Sequence, residues 1–180
     1  MRSIVTAVLL IAAAPLLAQD AGAPKRATLP DSVRSLYQSA QRNVTEAAEV
    51  MPEDQYSFKP TPEVRSFGEI IGHVANSQYF FCSSALGVPN PNKANLEGLK
   101  TKKELVDALK ESNTFCDGAY APSQSLDAPA SLGKQQTTKG HALIFNLAHD
   151  NEHYGNLVTY LRLKGIVPPS TARAKAASSK

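Results

Sequence analysis

The sequence has the composition of a single globular domain. Its 180 residues are 42% hydrophobic, 19% charged and 7% aromatic, which excludes a collagen-like, coiled-coil or fully disordered chain. The formal net charge is only +3, and lysine and arginine are scattered rather than gathered into one basic patch. Because nucleic-acid binding depends on neutralising many phosphates, we expect no nucleic-acid partner.

The N-terminus is typical of a secretory signal peptide. A positively charged start, Met1-Arg2, precedes an apolar run from Ile4 to Leu17, and a plausible cleavage site follows Ala18. The alternative is a membrane anchor, but a run of about 14 residues is shorter than the roughly 20 that span a bilayer. We therefore expect cleavage of residues 1–18, export to the periplasm or the medium, and no membrane span in the mature chain.

Helical periodicity accounts for the first half of the chain. Apolar residues recur three and four positions apart, as on one face of an amphipathic helix. The first helix is expected between Pro30 and Pro52, with Asp31 as its N-cap. Capping boxes, in which a hydroxyl is followed three residues later by a carboxylate, predict that the second and third helices begin at Ser66 and Thr101.

The longest helical segment lies near the C-terminus. It is predicted to open at Thr138 and to end at Gly165, before two prolines. Residues 121–136 lack a period, so we expect a loop and no strands. Four helices joined by loops predict an all-α four-helix bundle. The expected division of the chain is a signal peptide (1–18), a linker (19–29), the bundle (30–168) and a disordered tail (169–180).

Three histidines form the strongest candidate site. His149 and His153 are four residues apart, so they lie on one helix face, about 6 Å apart along the axis, and two imidazoles so placed can share one metal ion. Their phase with Phe145 and Tyr160 predicts that this face is buried. His73, in the middle of the second helix, could supply a third nitrogen and leave coordination positions open. The alternative is that each histidine is an ordinary hydrogen-bonded residue.

Two other readings of the histidines are less favoured. His141 is eight residues before His149, about 80° around the helix, and is expected to be structural or near the mouth of the site. The run from His149 to His153 also matches the metalloprotease pattern H-x-x-E-H, with Glu152 as general base. That pattern needs a downstream carboxylate ligand, and no Asp or Glu follows Glu152, which argues against a protease.

Two segments resemble motifs of the DinB-like family. Residues 66–75 read SFGEIIGHVA and are similar to its second-helix motif, and residues 149–165 read HDNEHYGNLVTYLRLKG and are similar to its last-helix motif. The resemblance extends from about residue 31 to residue 168. It implies an antiparallel four-helix bundle that holds a divalent metal, commonly zinc or nickel, by three histidines, which are here His73, His149 and His153. It also implies that a homodimer is possible.

The resemblance supports a metal site in this chain more strongly than it supports any particular reaction. Members of the wider group include thiol-dependent S-transferases and a maleylpyruvate isomerase. The thiol cofactors of these transferases are cytosolic, so the expected export of this chain argues against S-transfer.

Two functions remain open for such a site. A divalent ion bound by three neutral imidazoles can activate water or polarise a substrate oxygen, which favours metal-dependent hydrolysis or transfer on a small molecule. Asp150, Glu152 and Asn76 are candidates to orient the ligands or a bound water from outside the coordination sphere. The alternative is a non-catalytic binding or structural bundle, in which any metal only stabilises the fold.

The two cysteines are expected to form a disulfide. Cys82 and Cys116 lie late in the second and third predicted helices, and two thiols in an exported chain usually pair. The alternative is a pair of reduced buried thiols. Neither cysteine is in phase with the three histidines, so we expect no catalytic role for them.

Overall fold

The fold is an antiparallel four-helix bundle with a short hairpin and a fifth helix. A computed structural model describes residues 26–122 and 125–179, so the predicted signal peptide lies outside the described residues. The elements in chain order are α1 (Leu29–Val50), α2 (Phe67–Leu86), α3 (Lys102–Ala119), β1 (Pro129–Leu132), β2 (Gln135–Thr138), α4 (Lys139–Leu163) and α5 (Pro169–Ser178), with short 3₁₀ turns at Glu53–Gln55 and Leu96–Gly98. Helix α2 packs against both α3 and α4, and α1 packs against α4. The predicted helical bundle is therefore confirmed.

Helix starts follow the capping chemistry. The predicted capping boxes at Ser66 and Thr101 are both present, and Thr138 caps α4. The prediction for α1 was wrong by one turn, because Thr28 is the N-cap and Asp31 is the third helical residue of a capping box. Pro30 lies in the first turn, where its missing N–H costs nothing, so it does not mark the boundary.

Buried polar residues divide the bundle interior into two apolar clusters. One cluster gathers around Met51, Phe67 and Leu157, and the other includes Tyr37 and Leu143. Along α2, α3 and α4 the residues of the two clusters are separated in sequence by side chains that are fully buried and polar, namely Gln78, Ser112 and Asp150. Asn146, one turn before Asp150 in α4, is also fully buried. The bundle therefore carries a polar layer at its middle.

The segment between α3 and α4 contains a β-hairpin, which corrects the prediction of a loop without strands. β1 and β2 pair antiparallel, with Pro129 opposite Thr138 and Leu132 opposite Gln135. Gly133 has a φ of 58°, which suits the first position of a two-residue hairpin turn. The strands were missed because they are four residues long and mostly polar, so no apolar alternation marks them.

The C-terminal segment is helical where disorder was predicted, at least from residue 169 to residue 178. Pro169 stands at the start of α5, a position that proline favours. The Tyr154 hydroxyl lies 2.7 Å from the Ser170 hydroxyl and accepts from the Ser170 N–H. Arg173 pairs with Glu46 of α1. Small polar residues suggested disorder, but these contacts attach the segment to the bundle.

A disulfide joins α2 to α3. Cys82 and Cys116 are bonded, with their Cα atoms 5.3 Å apart, and both are fully buried. The predicted pairing is thus present in the structure. Within the part of the chain that the structure describes, none of the helices combines the length and apolar character that a membrane crossing needs.

Candidate metal centre

The three histidines singled out from the sequence meet between α2 and α4. The Nε2 atom of His149 lies 3.1 Å from Nε2 of His73 and 3.1 Å from Nε2 of His153. One nitrogen from each ring lies within 4.8 Å of the others, so the group could hold a metal ion. Two nitrogens bound at about 2.1 Å to one tetrahedral ion lie roughly 3.4 Å apart, which is close to the observed separations.

Hydrogen bonding alone does not satisfy these three nitrogens. The Nδ1 atom of His73 lies 2.8 Å from Oε1 of Glu97, and because a carboxylate only accepts, Nδ1 carries the proton and Nε2 of a neutral ring is left as a lone pair. The Nε2 of a neutral His149 cannot accept from one neighbour and donate to the other at the same time. A cation that accepts lone pairs from all three nitrogens removes this conflict, so the donor set fits a divalent metal.

Burial keeps the histidines in the neutral form that binds metals. Desolvation, followed by the neighbouring His153 and His73 rings, lowers the pKa of His149 to about 3. Desolvation also lowers the pKa of His153, with His73 contributing in the same direction. At neutral pH these two rings therefore need not lose a proton before they bind an ion.

Glu97 orients the ring of His73, and no pattern in the sequence indicated this role. This residue lies in the 3₁₀ turn between α2 and α3, where no periodicity places it near a helix face. Its second oxygen, Oε2, accepts from Nε of Arg65 at 2.9 Å. Partial burial opposes ionisation, but the hydrogen bonds with Arg65 and His73 hold the pKa of Glu97 below its ordinary value. A charged carboxylate on the outer nitrogen fixes the tautomer of a metal-binding histidine.

Gly72 allows the Glu97 turn to lie directly on α2. A Cβ atom at position 72 would be 2.4 Å from the Leu96 carbonyl oxygen and 2.7 Å from the Glu97 backbone nitrogen. Asn76, one turn further along α2, holds the same loop, because its Oδ1 accepts from the Leu96 N–H at 3.2 Å and from the Asn92 side chain at 3.0 Å. Asn76 therefore holds the loop that carries Glu97, and its predicted contact with a water on the metal stays a prediction.

Gly72→Ala is expected to lower metal affinity about tenfold or more without changing a ligand, since the added methyl group must push the Glu97 turn away from His73. Overpacking should also destabilise the fold by about 1–3 kcal/mol. A competition titration with a chromogenic chelator measures the affinity. Gly155→Ala is the matched control, because Gly155 is also two residues or fewer from a histidine of the site but its Cβ would meet nothing within 4 Å. Equal affinity in the two variants would contradict the role of the turn.

The two acidic residues next to the histidines do not orient them. Asp150 is fully buried, and its Oδ2 accepts from the Gln78 side chain at 3.1 Å while Oδ1 has no hydrogen-bond partner. Glu152 is exposed. The outer nitrogen of His153 instead lies 3.3 Å from the side-chain amide of Asn156. The predictions for Asp150 and Glu152 are therefore corrected. Asp150 follows His149 directly, so its side chain is turned by about 100° around α4 and faces the polar layer instead of the histidines.

Asp150→Asn is expected to stabilise the protein at pH 8 by a few kcal/mol and to change stability little at pH 4. Desolvation, only partly offset by the Gln78 hydrogen bond, raises the pKa of Asp150 from 3.8 to about 7. Between these pH values the folded state binds more protons than the unfolded state, so this carboxyl group makes the protein less stable as pH rises. Asparagine does not ionise. Urea denaturation of both proteins at the two pH values measures the effect, and a variant that gains nothing at pH 8 would refute it.

The site lies at the edge of the buried face of α4. His153 is buried, with 8% of its surface exposed, while His149 and His73 are half-buried. The predicted buried face is partly wrong, since Phe145 is exposed whereas Tyr160 is buried. His141 is also exposed and does not join the histidine cluster. The shift in phase leaves His73 and His149 partly exposed to solvent.

Helices α2 and α4 of this four-helix bundle bring three imidazoles together. The fold and the site therefore define a helical-bundle protein with a candidate metal centre. Residues 36–157 match the sequence profile of the DinB superfamily. The chain therefore belongs to the DinB superfamily, as the motifs around His73 and His149 indicated.

The chain is also similar to individual known proteins. The uncharacterized protein YjoA of Bacillus subtilis (strain 168) is 29% identical over 131 residues, which cover 69% of this chain and 84% of that protein. Among solved structures, a DinB-like protein from Bacillus cereus superposes with a TM-score of 0.67 at 14% identity, covering 76% of this chain and 93% of that one. The Bacillus subtilis YjoA structure gives 0.60 at 23% identity, covering 74% and 92%. These structural likenesses show the fold.

Proposed function

We propose that His73, His149 and His153 bind one divalent metal ion, zinc or nickel, and that this centre catalyses hydrolysis or transfer on a small molecule. The observation that carries the proposal is the convergence of three Nε2 atoms, two of them 3.1 Å from the third. A bound ion would supply Lewis-acid chemistry, either by lowering the pKa of a coordinated water or by polarising a substrate oxygen.

The residues around the site support an ion with open positions. Three protein ligands are typical of catalytic sites, whereas structural zinc sites usually have four. Among residues 26–122 and 125–179, the cluster contains only the three histidines. Glu97 holds the proton at Nδ1 of His73 and so presents its Nε2 to the ion. The exposed fraction of the His73 side chain, 22%, leaves room for a fourth, exchangeable ligand.

The proposed compartment favours hydrolysis over S-transfer. We propose that residues 1–18 are a signal peptide and that the mature chain is periplasmic or secreted, and the disulfide between Cys82 and Cys116 is compatible with an oxidising location. In such a compartment water is abundant, whereas cytosolic thiol cofactors are not available as substrates.

Metal analysis followed by a substrate screen tests the proposal. The protein is purified from its native compartment, its metal content is measured by elemental analysis, and esters, amides and thiol acceptors are screened with the loaded protein and with His149→Ala. We expect one metal ion per chain and turnover that rises in proportion to metal content. Turnover that is equal in the loaded protein and in His149→Ala would reject the catalytic role, and a stoichiometric metal without an exchangeable water would favour a structural ion.

A further inference from the structure

Three phenylalanines continue the seam between α2 and α4 away from the histidine cluster. The ring of Phe81 lies 5.8 Å from the ring of His149. The Phe145 ring is 5.0 Å from Phe81, and the Phe80 ring is 5.2 Å from Phe81. Phe145 precedes His149 by one helical turn of α4, so the aromatic group begins directly beside the candidate metal centre.

Phe80 and Phe145 of this aromatic group lie outside the packed core of the bundle. None of the three rings belongs to either core cluster. Phe145 is 50% exposed and Phe80 is 42% exposed, while Phe81 beneath them is 7% exposed. A contiguous exposed apolar patch is often a binding site, and here the patch adjoins three imidazoles whose lone pairs converge.

We infer that Phe80, Phe81 and Phe145 seat the apolar part of a substrate whose polar head group ligates the metal. This inference rests on the proposed function. The substrate class is a small molecule with a metal-binding oxygen or sulfur attached to an aromatic or similarly bulky apolar group. The ring spacings support this class, because aromatic rings pack favourably with centroids about 4.5–7 Å apart. A phenyl group on the exposed Phe145 would lie beside Phe81, whose ring is 5.8 Å from that of His149.

A small molecule fits the patch better than a second copy of the chain does. A stable protein interface covers roughly 800 Å² on each partner, which is many times the area of three rings, two of them only half-exposed. A substrate ring needs only the exposed faces of Phe80 and Phe145, and its head group accounts for the open side of the histidine cluster.

Two metal-binding probes that differ by a phenyl group test the inference. Acetohydroxamate and benzohydroxamate carry the same head group, and their affinities for the zinc-loaded full chain are measured by isothermal titration calorimetry. We expect benzohydroxamate to bind about tenfold tighter, since burial of a phenyl group is favourable. In Phe145→Ala this preference should fall to about twofold, with acetohydroxamate affinity unchanged. Ile144→Ala is the matched control, because Ile144 is an apolar residue of the same helix with a similar exposed fraction, 46%, and it should keep the preference.

The outcomes separate this inference from the proposed function. If the chain retains no zinc, the metal centre fails and the subsite fails with it. If zinc is retained but benzohydroxamate has no advantage, if neither probe binds, or if the advantage survives in Phe145→Ala, the subsite is refuted while the metal centre stands. Sedimentation velocity adds one further outcome, because a dimer that dissociates in Phe145→Ala, with no change in probe preference, would show that the patch contacts a second copy.

Discussion

Replacing His149 or His153 with alanine is expected to abolish metal retention, while His141→Ala keeps it. His149 holds the central position, because its Nε2 is the atom that lies 3.1 Å from both other nitrogens. Its loss leaves two imidazoles, and loss of a direct ligand should exceed the 10- to 100-fold cost of losing an outer-sphere partner. Metal content after dialysis, measured by elemental analysis, should fall to background in His149→Ala and in His153→Ala.

His141→Ala is the matched control for this result. His141 lies on the same helix but is exposed and outside the cluster, so its variant should bind one metal ion as the wild type does. Circular dichroism must show that the variants remain helical, since a fold lost with the side chain would also lose the metal. Full metal content in both ligand variants would disprove the assignment.

Removing the disulfide is expected to destabilise the protein by about 3–4 kcal/mol. Cys82 and Cys116 are 34 residues apart in sequence, and closing a loop of this length lowers the entropy of the unfolded chain by about that amount in the chain-entropy model. Both sulfur atoms are buried, so the double variant Cys82→Ala/Cys116→Ala also avoids leaving a polar group in the core. Denaturation in urea measures the change.

Reduction provides an independent check on the bridge. The intact wild-type mass without reductant should be lower by two hydrogen atoms than the mass after reduction, and adding reductant should lower the unfolding midpoint of the wild type but not of the double variant. An unmodified free-thiol mass, or identical midpoints for the wild type with and without reductant, would contradict a stabilising disulfide.

The helix starts and the relative placement of His149 and His153 could be predicted, because both depend on residues that are close together in sequence. Capping boxes at Ser66 and Thr101 supply the N–H partners that open α2 and α3, and the four-residue spacing of His149 and His153 fixes their relative position on any α-helix. His73 was expected beside them from its position in the middle of α2 and from the family motif. Spacing along one helix cannot establish this contact, since two helices can face each other in many registers.

Features that depend on tertiary contacts were missed. Glu97 reaches His73 because Gly72 lets a turn approach α2 closely, and no pattern within the turn indicates this. Helix α5 lacks large apolar residues that would predict packing. It is attached by contacts such as that of Arg173 with Glu46, which are remote in sequence. The buried face of α4 was predicted wrongly at Phe145. The helix instead turns Asn146 and Asp150 into the bundle interior, which leaves Phe145 exposed.

The most direct test of the metal centre is an anomalous difference map from crystals of the zinc-loaded protein, recorded above and below the zinc absorption edge. We expect one peak about 2.1 Å from the Nε2 atoms of His73, His149 and His153, with at least one further position filled by solvent. A peak at another site, a peak bound by only one of these histidines, or no peak in crystals of protein with stoichiometric zinc would contradict the account.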